Sequence, residues 1–367
     1  MPRRCLPLFV VSFLLALPGS APARVWTVRS DGTGDAPTIA AALGAAVSGD
    51  VIRLAGGTYH EHDLELVDGV SLEGPSLDPA GAVIDAGGLG RVMRGQGIGT
   101  GTLLQGLTLT GGRVEGTCSD PGTGTYCVGG GALILGSAPT IAHCKFLDDH
   151  AQDNGGGLAS AVSAPTLTDC RFEGNTARHG AAITFIASSL NGVSPTVTRC
   201  EFVGNTAGAD GGAVYCYVSE PALSLCTFDA NTSGEQGSSM FWYDPSPPVL
   251  DRCVFAFGLG TPPIFSGLPG GCPSLSCCDV YGNAGGDWID CLAGQDARNG
   301  NFSADPLFCG AASLDVTLRA GSPCTAPGPT GCGAIGAEGV ACAGTAAPSG
   351  MEVTTWGRLK AAHRVAR

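Results

Sequence analysis

The chain has 367 residues, of which 44% are hydrophobic, 6% aromatic and 14% charged, with 59 glycines and a net charge of −13. Long helices want more Leu, Glu, Lys and Ala, and disorder wants more charge and less Val, Ile and Leu, so this composition points to a β-rich chain with tight glycine turns. The acidic excess excludes a nucleic-acid partner, because phosphate binding needs basic surface; cations or neutral glycans fit better.

The first residues are Arg3 and Arg4, an apolar run from Leu6 to Leu17, and Ala21-Pro-Ala23, the pattern of an export signal cut after Ala23. That run is too short for a membrane span and nothing later is longer or more apolar, so no transmembrane segment is expected. With residues 1–23 and the basic last 25 set aside, the body carries about −18. Val25–Arg29 reads as a strand, and Thr38 as the cap of a helix with Ile39, Leu43, Ala46 and Val47 at helical spacing before Gly49. Such a helix would close the open end of a stack of strands, which otherwise exposes unpaired edges.

Short β runs follow at Val51–Leu54, Leu64–Val67, Val70–Leu72, Ala82–Ile84 and Leu103–Leu109, and an insertion at residues 113–128 carries Cys118 and Cys127. From Gly129 to about Phe257 one phrase recurs: Pro-Thr-apolar-x-x-Cys-x-Phe-x-x-Asn, then a Gly-Gly-Ala-apolar step. Its instances are Pro139–Phe146, Pro165–Asn175, Pro195–Asn205 and Pro221–Asn231, with a looser one at Pro248–Phe255. The cysteines at 144, 170, 200, 226, 253 and 278 are spaced by 26, 30, 26, 27 and 25 residues. A period of this size marks a solenoid, in which each repeat buries its apolar side only by stacking on its neighbours. About 26 residues per turn suits a three-sided parallel coil, and parallel stacking places like residues about 4.8 Å apart. Cys and Phe thus become buried columns, and Asn175, Asn205 and Asn231 a hydrogen-bonded ladder at one bend. Residues 279–342 suit an atypical capping end. Residues 343–350 read as a linker and 351–367 as a basic tail with Trp356, Leu359 and Ala362 at helical spacing.

The once-per-repeat cysteines read as small buried hydrophobes. A second group lies in irregular segments, and there Cys118–Cys127 and Cys324–Cys332 are the expected disulfides, since each closes a short Gly/Pro-rich loop. Cys216 belongs to neither group. No Cys-x-x-Cys or Cys/His spacing supports zinc.

The opening Asp31-Gly-Thr-Gly-Asp, with Thr38-Ile39, Gly49-Asp50 and Gly57-Thr58-Tyr59, resembles the first coil of right-handed parallel β-helix proteins of the pectin-lyase-like superfamily. The resemblance covers roughly residues 25–342 and implies an all-β, right-handed parallel β-helix with an N-terminal capping helix. The Phe-x-x-Asn and Gly-Gly-Ala-apolar steps also resemble the repeats of chlamydial polymorphic membrane proteins, which are adhesins. Lyases and hydrolases on this fold, by resemblance, use carboxylate-bound Ca²⁺ with a basic residue, or a close set of Asp residues.

No Asp pair recurs here in a strand-facing context. The nearest cluster, Asp148, Asp149 and Asp153, has enough oxygens for Ca²⁺, although a solvated acidic turn is the plainer account. No cofactor is otherwise required. His60 and His62 sit in a loop, too isolated for a metal pair. If the apolar residue of each Gly-Gly-Ala-apolar step (Leu133, Leu158, Ile183, Val214, Met240) points inward, alternation sends Tyr215, Tyr217, Phe241 and Tyr243 outward as a stacked aromatic patch. Sugar rings pack on such platforms, though the proline-rich loop Asp244–Pro248, folding over the patch, would bury it. The expectation is therefore a monomeric secreted or cell-surface protein of residues 24–342, glycan-binding or structural and adhesive, whose partner is a polysaccharide or a cell-envelope surface. The alternative is a polysaccharide lyase or glycoside hydrolase.

Overall fold

The computed structural model describes residues 22–118, 126–188, 192, 194–246, 248–310, 313–326 and 331–342. The expected export signal, linker and basic tail lie outside the described residues. What is described is a right-handed parallel β-helix, the hand that parallel crossovers take. Three long sheets run its length: a side sheet of ten strands from Val25–Val28 to Ser274–Ser276, a front sheet of eight from Leu64–Glu65 to Ile264–Ser266, and a back sheet of nine from Gly57–Tyr59 to Asp279–Tyr281. A five-stranded corner sheet, from Arg113–Val114 to Thr232–Ser233, joins back to front. Among the described residues, no helix is long and apolar enough to cross a membrane.

Strict register turns the repeats into columns. In the back sheet Phe146, Phe172, Phe202, Phe228 and Phe255 are fully buried and stacked, with ring centroids 4.6, 5.4, 4.6 and 4.6 Å apart. Truncating one to alanine would cost about 3–5 kcal/mol, as for other buried Phe. Cys144, Cys170, Cys200, Cys226, Cys253 and Cys278 are buried free thiols in the same interior. The asparagines form the ladder: Asn175 Nδ2 donates to Phe146 O and to Asn205 Oδ1, each at 3.0 Å, and Asn205 Nδ2 donates to Phe172 O and Asn231 Oδ1. An amide suits this bend because it accepts along the stack with its oxygen and donates with its nitrogen.

The N-terminal helix is short, Ile39–Ala45, with Thr38 Oγ1 accepting from Ala41 N. It ends before the expected Val47, which is 58% exposed. Between the two loop histidines, Glu61 turns its carboxylate onto the helix start and accepts from Ile39 N and Ala40 N. At the other end, Trp288 and Leu292 pack on the last coils. Residues 302–342 do not simply continue the stack. Their three-stranded sheet (Phe308–Gly310, Asp315–Arg319, Val340–Cys342) folds back on the outer face of the back sheet, where Phe308, Val316, Leu318 and Ile335 bury Val203, Val254 and Ala256.

Two expectations need correction. Cys324 does not pair with Cys332: it is a buried free thiol with Sγ 3.4 Å from Asp279 Oδ2, while Cys332 bonds Cys277. The pairing joins the folded-back block to a coil 55 residues earlier, so it follows from the fold-back and not from loop length. Cys118–Cys127, Cys272–Cys291 and Cys309–Cys342 are the remaining disulfides among the described residues. Leu133 is also one place out. Ala132, not Leu133, stands in register with Leu158, and Leu133 points outward, where it is buried with Val128, Leu135 and Ala159. Gly129 aligns with Gly155 because the Val128–Asn154 bridge fixes the register, and the extra glycine before Ala132 had suggested a shift.

Candidate functional site

The outer face of the front sheet carries two aromatic rows. Val214–Tyr217 pairs in parallel with Met240–Tyr243, which pairs with Ile264–Ser266, so Tyr215, Phe241 and Phe265 share one row and Tyr217 and Tyr243 the next. The rings stack at 5.3 Å (Tyr215–Phe241), 6.0 Å (Phe241–Phe265) and 5.4 Å (Tyr217–Tyr243). Alternation along each strand sends Cys216 and Trp242 to the interior, fully buried. Tyr217 is 43% and Tyr243 37% exposed, whereas Phe241 is at 7% because its neighbours cover it. Burial pushes the Tyr215 phenol up to about 12, so it stays a neutral hydroxyl.

The second row ends at Gly267, whose added Cβ would lie 2.7 Å from the Tyr243 ring and 2.9 Å from the Phe241 ring. A groove of about 530 Å³ opens there, lined among others by Gln236, Phe265, Ser266, Leu268 and Asp290, with the Cys272–Cys291 disulfide in its wall. That volume falls in the range of small-ligand clefts, about 300–1,000 Å³.

Along the corner of the same face runs a polar column, Asn154, His179, Asp210 and Gln236, each just before a left-handed glycine (Gly155, Gly180, Gly211, Gly237) that turns the chain into the front sheet. At Gly211 (φ +64°) a Cβ would meet Val214 O at 2.4 Å, so only glycine makes this turn. His179 Nδ1 lies 3.2 Å from Asp210 Oδ2, yet its ring is turned so that this buried nitrogen has no aligned hydrogen bond. The imidazole packs on Tyr215 at 5.0 Å, tilted by 46°, and so flanks the near end of the Tyr215–Phe241–Phe265 row from the corner. Burial lowers the His179 pKa and raises that of Asp210, with Glu235 adding to the latter and the ion pair opposing both.

The expected Ca²⁺ cluster does not form. Asp149 is 1% exposed and occupies the asparagine position of its coil, with Oδ1 accepting from Gly112 N and Oδ2 buried without a partner. Its neighbour Asp148 faces outward, and Asp153 Oδ2 accepts from Cys127 N. Among the described residues no three His, Cys, Asp or Glu side chains gather around one point. Adjacent residues at a bend leave the coil in different directions, which sequence proximity hides. Of the three carboxylates that burial lifts to about 7, Glu338 belongs to the C-terminal block, and Asp229 and Asp279 lie beneath it. There Arg171 bonds Glu173, Glu201 and the Leu314 carbonyl. Sequence reasoning missed His179, Asp210, Gln236 and Phe265; the signal for the first three is the polar residue preceding the glycine of each repeat.

The repeat of the Chlamydia polymorphic membrane protein family matches residues 199–217, the coil that contributes Tyr215 and Tyr217. No curated protein matches the chain. Among solved structures, the chain is similar to the pectin methylesterase of Aspergillus niger in deglycosylated form, at 16% identity and a TM-score of 0.43, over 78% of this chain and 91% of that one. It is similar to the pectin methylesterase PemA of Erwinia chrysanthemi at 15% identity and TM-score 0.38, over 76% and 92%. A pectin methylesterase in complex with a hexasaccharide matches at 14% identity and TM-score 0.41, also over 76% and 92%.

Proposed function

We propose that the chain is an exported protein whose β-helix, residues 24–342, binds a glycan at an extracellular or cell-envelope surface through the front sheet. The observation that carries this reading is the pair of parallel aromatic rows, with Tyr217 and Tyr243 open to solvent and a groove at their end. Exposed sheets seldom keep large aromatics in register without a partner. Rings repeating once per coil offer successive flat faces to an elongated sugar chain, whose C–H faces pack on them. The four disulfides among the described residues fit the oxidising compartment this location requires. Stacking on an aromatic side chain contributes about 1–3 kcal/mol for a nucleobase, and C–H packing of a saturated sugar ring on each tyrosine is placed at the low end of that range. Replacing Tyr217 and Tyr243 together by Ala should therefore weaken binding by about tenfold or more on a polysaccharide array, with the melting temperature nearly unchanged. Undiminished binding by the double variant, or no binding of the parent to any polysaccharide, would refute the reading. New unsaturated or reducing ends in the array would point to a lyase or hydrolase instead.

A further inference from the structure

The aromatic row does not end on an apolar residue. In register it ends on Thr184, and from the corner the ring of His179 packs against Tyr215, 5.0 Å away and tilted by 46°, beside the stack that runs through Phe241 to Phe265. One edge of this imidazole is buried against Asp210 at 3.2 Å without an aligned hydrogen bond. The other nitrogen, Nε2, makes no hydrogen bond to a described residue. We propose that His179, positioned by Asp210, is the polar selector of the glycan strip: Nε2 bonds a sugar hydroxyl at the end of the row, and the acidic margin confines the ligand to neutral glycans. The proposal rests on the reading of the front sheet as a glycan-binding face.

The chemistry follows from the two ring nitrogens. Burial keeps the imidazole neutral at neutral pH, so it has one N–H and one lone pair. A small rotation that aligns Nδ1–H with Asp210 satisfies a nitrogen that is otherwise buried without a partner, and leaves Nε2 as the acceptor. A sugar hydroxyl donating to Nε2 holds the ring in that orientation, so ligand and Asp210 reinforce each other. Polar bonds at binding sites are often misaligned before the ligand arrives and tighten in the complex.

The charged groups around this pair fix the ligand class. Asp210 and Glu235 act on His179, with Arg178 as the opposing cation, and Asp290 and the uncharged Gln236 line the groove at the far end. A polyuronate laid along the strip would set its carboxylates near three acids and one base, on a chain of net charge −13. A neutral hexosan meets no such repulsion, and its hydroxyls suit both Gln236 and His179. From the His179 coil to the Phe265 coil is three steps of about 4.8 Å, the reach of a short oligosaccharide.

The test is titration calorimetry on the full chain with neutral hexasaccharides (cello-, manno- and xylo-oligomers) and with oligogalacturonate of the same length. The parent should bind a neutral oligomer at least tenfold more tightly than the uronate. His179→Phe keeps a ring against Tyr215 but removes both nitrogens, and it should weaken the neutral oligomer by about tenfold, one hydrogen bond's worth. His179→Gln, which restores a hydrogen-bonding group, should recover part of that loss, and Asp210→Ala should lose affinity while leaving the aromatic rows intact. Equal binding by His179→Phe and parent would overturn the selector role and leave the aromatic reading standing. Uronate bound as tightly as the neutral oligomers would overturn the charge argument. A parent that binds no saccharide would instead refute the aromatic reading itself, and the double tyrosine variant separates the two cases.

Discussion

Replacing Asp149 by Asn should stabilise this protein, by more at neutral pH than at pH 4. In the asparagine ladder each side-chain oxygen accepts from a backbone N–H of the preceding coil, and each amide nitrogen donates to a phenylalanine carbonyl, those of Asn175 and Asn205 also to the next oxygen. Asp149 keeps the first role, accepting from Gly112 N at 2.8 Å, and its own N–H donates to Asn175 Oδ1 at 3.0 Å. Its Oδ2 takes the place of the amide nitrogen and finds no donor. The carbonyl equivalent to that of Phe146 is that of Leu109, its register partner in the preceding coil, so acceptor faces acceptor. Burial accordingly drives the Asp149 pKa well above the carboxylate range, with Gly112 N only partly opposing. The native state thus binds a proton that the unfolded chain gives up above about pH 4. This raised pKa means that stability is fullest below the unfolded value and falls as pH rises toward the native one.

Asparagine has no such titration and supplies the missing donor. Satisfying one buried polar atom is worth about 1–3 kcal/mol, or about 2–4 °C of melting temperature per kcal/mol in a domain of this order of size. At pH 4 Asp149 is already protonated in the native state and most of the gain disappears. Thermal melts followed by circular dichroism at a fixed scan rate, at pH 4 and pH 7, read both quantities. An unchanged or lower melting temperature at pH 7, or an equal gain at both pH values, would refute the account.

Asp229 has neither carboxylate oxygen bonded, and burial lifts both it and Asp279 to about 7 beneath the C-terminal block. Raised carboxylates contribute docking stability that is fullest below about pH 4 and is lost as pH rises toward 7, so hydrogen-exchange protection factors in residues 302–342, corrected for the intrinsic pH dependence of exchange, should be lower at pH 8 than at pH 5; equal protection factors would count against it. The eight free cysteines among the described residues are all buried, and burial pushes the Cys144, Cys200, Cys253 and Cys278 thiols well up. Iodoacetamide should therefore label none of the eight in the folded protein and all of them in denaturant, as mass spectrometry would count.

The period, the Cys and Phe columns and the asparagine ladder were legible because in-register parallel stacking turns sequence spacing directly into spatial contact. The same logic placed Tyr215, Tyr217, Phe241 and Tyr243 on the outer face once Val214 and Met240 were assigned to the core. It would also have read Asp149 correctly, since Phe146-x-x-Asp149 has the spacing of Phe172-x-x-Asn175. Treating Asp148, Asp149 and Asp153 as neighbours by sequence broke that logic. Leu133 failed for a related reason: an extra glycine disguises the register, and a shift of one residue exchanges the two faces of a strand.

The sequence by itself determined whatever repeats, because each coil meets only the coils above and below it and the contact is set by residue spacing. Tertiary structure alone decided what does not repeat. The C-terminal block could close the stack or fold along it, and its apolar residues chose the back sheet, burying Asp229 and Asp279 and joining Cys277 to Cys332. The His179–Asp210 contact likewise crosses from one coil to the next at a glycine turn, where the direction of a side chain depends on backbone angles that spacing does not specify.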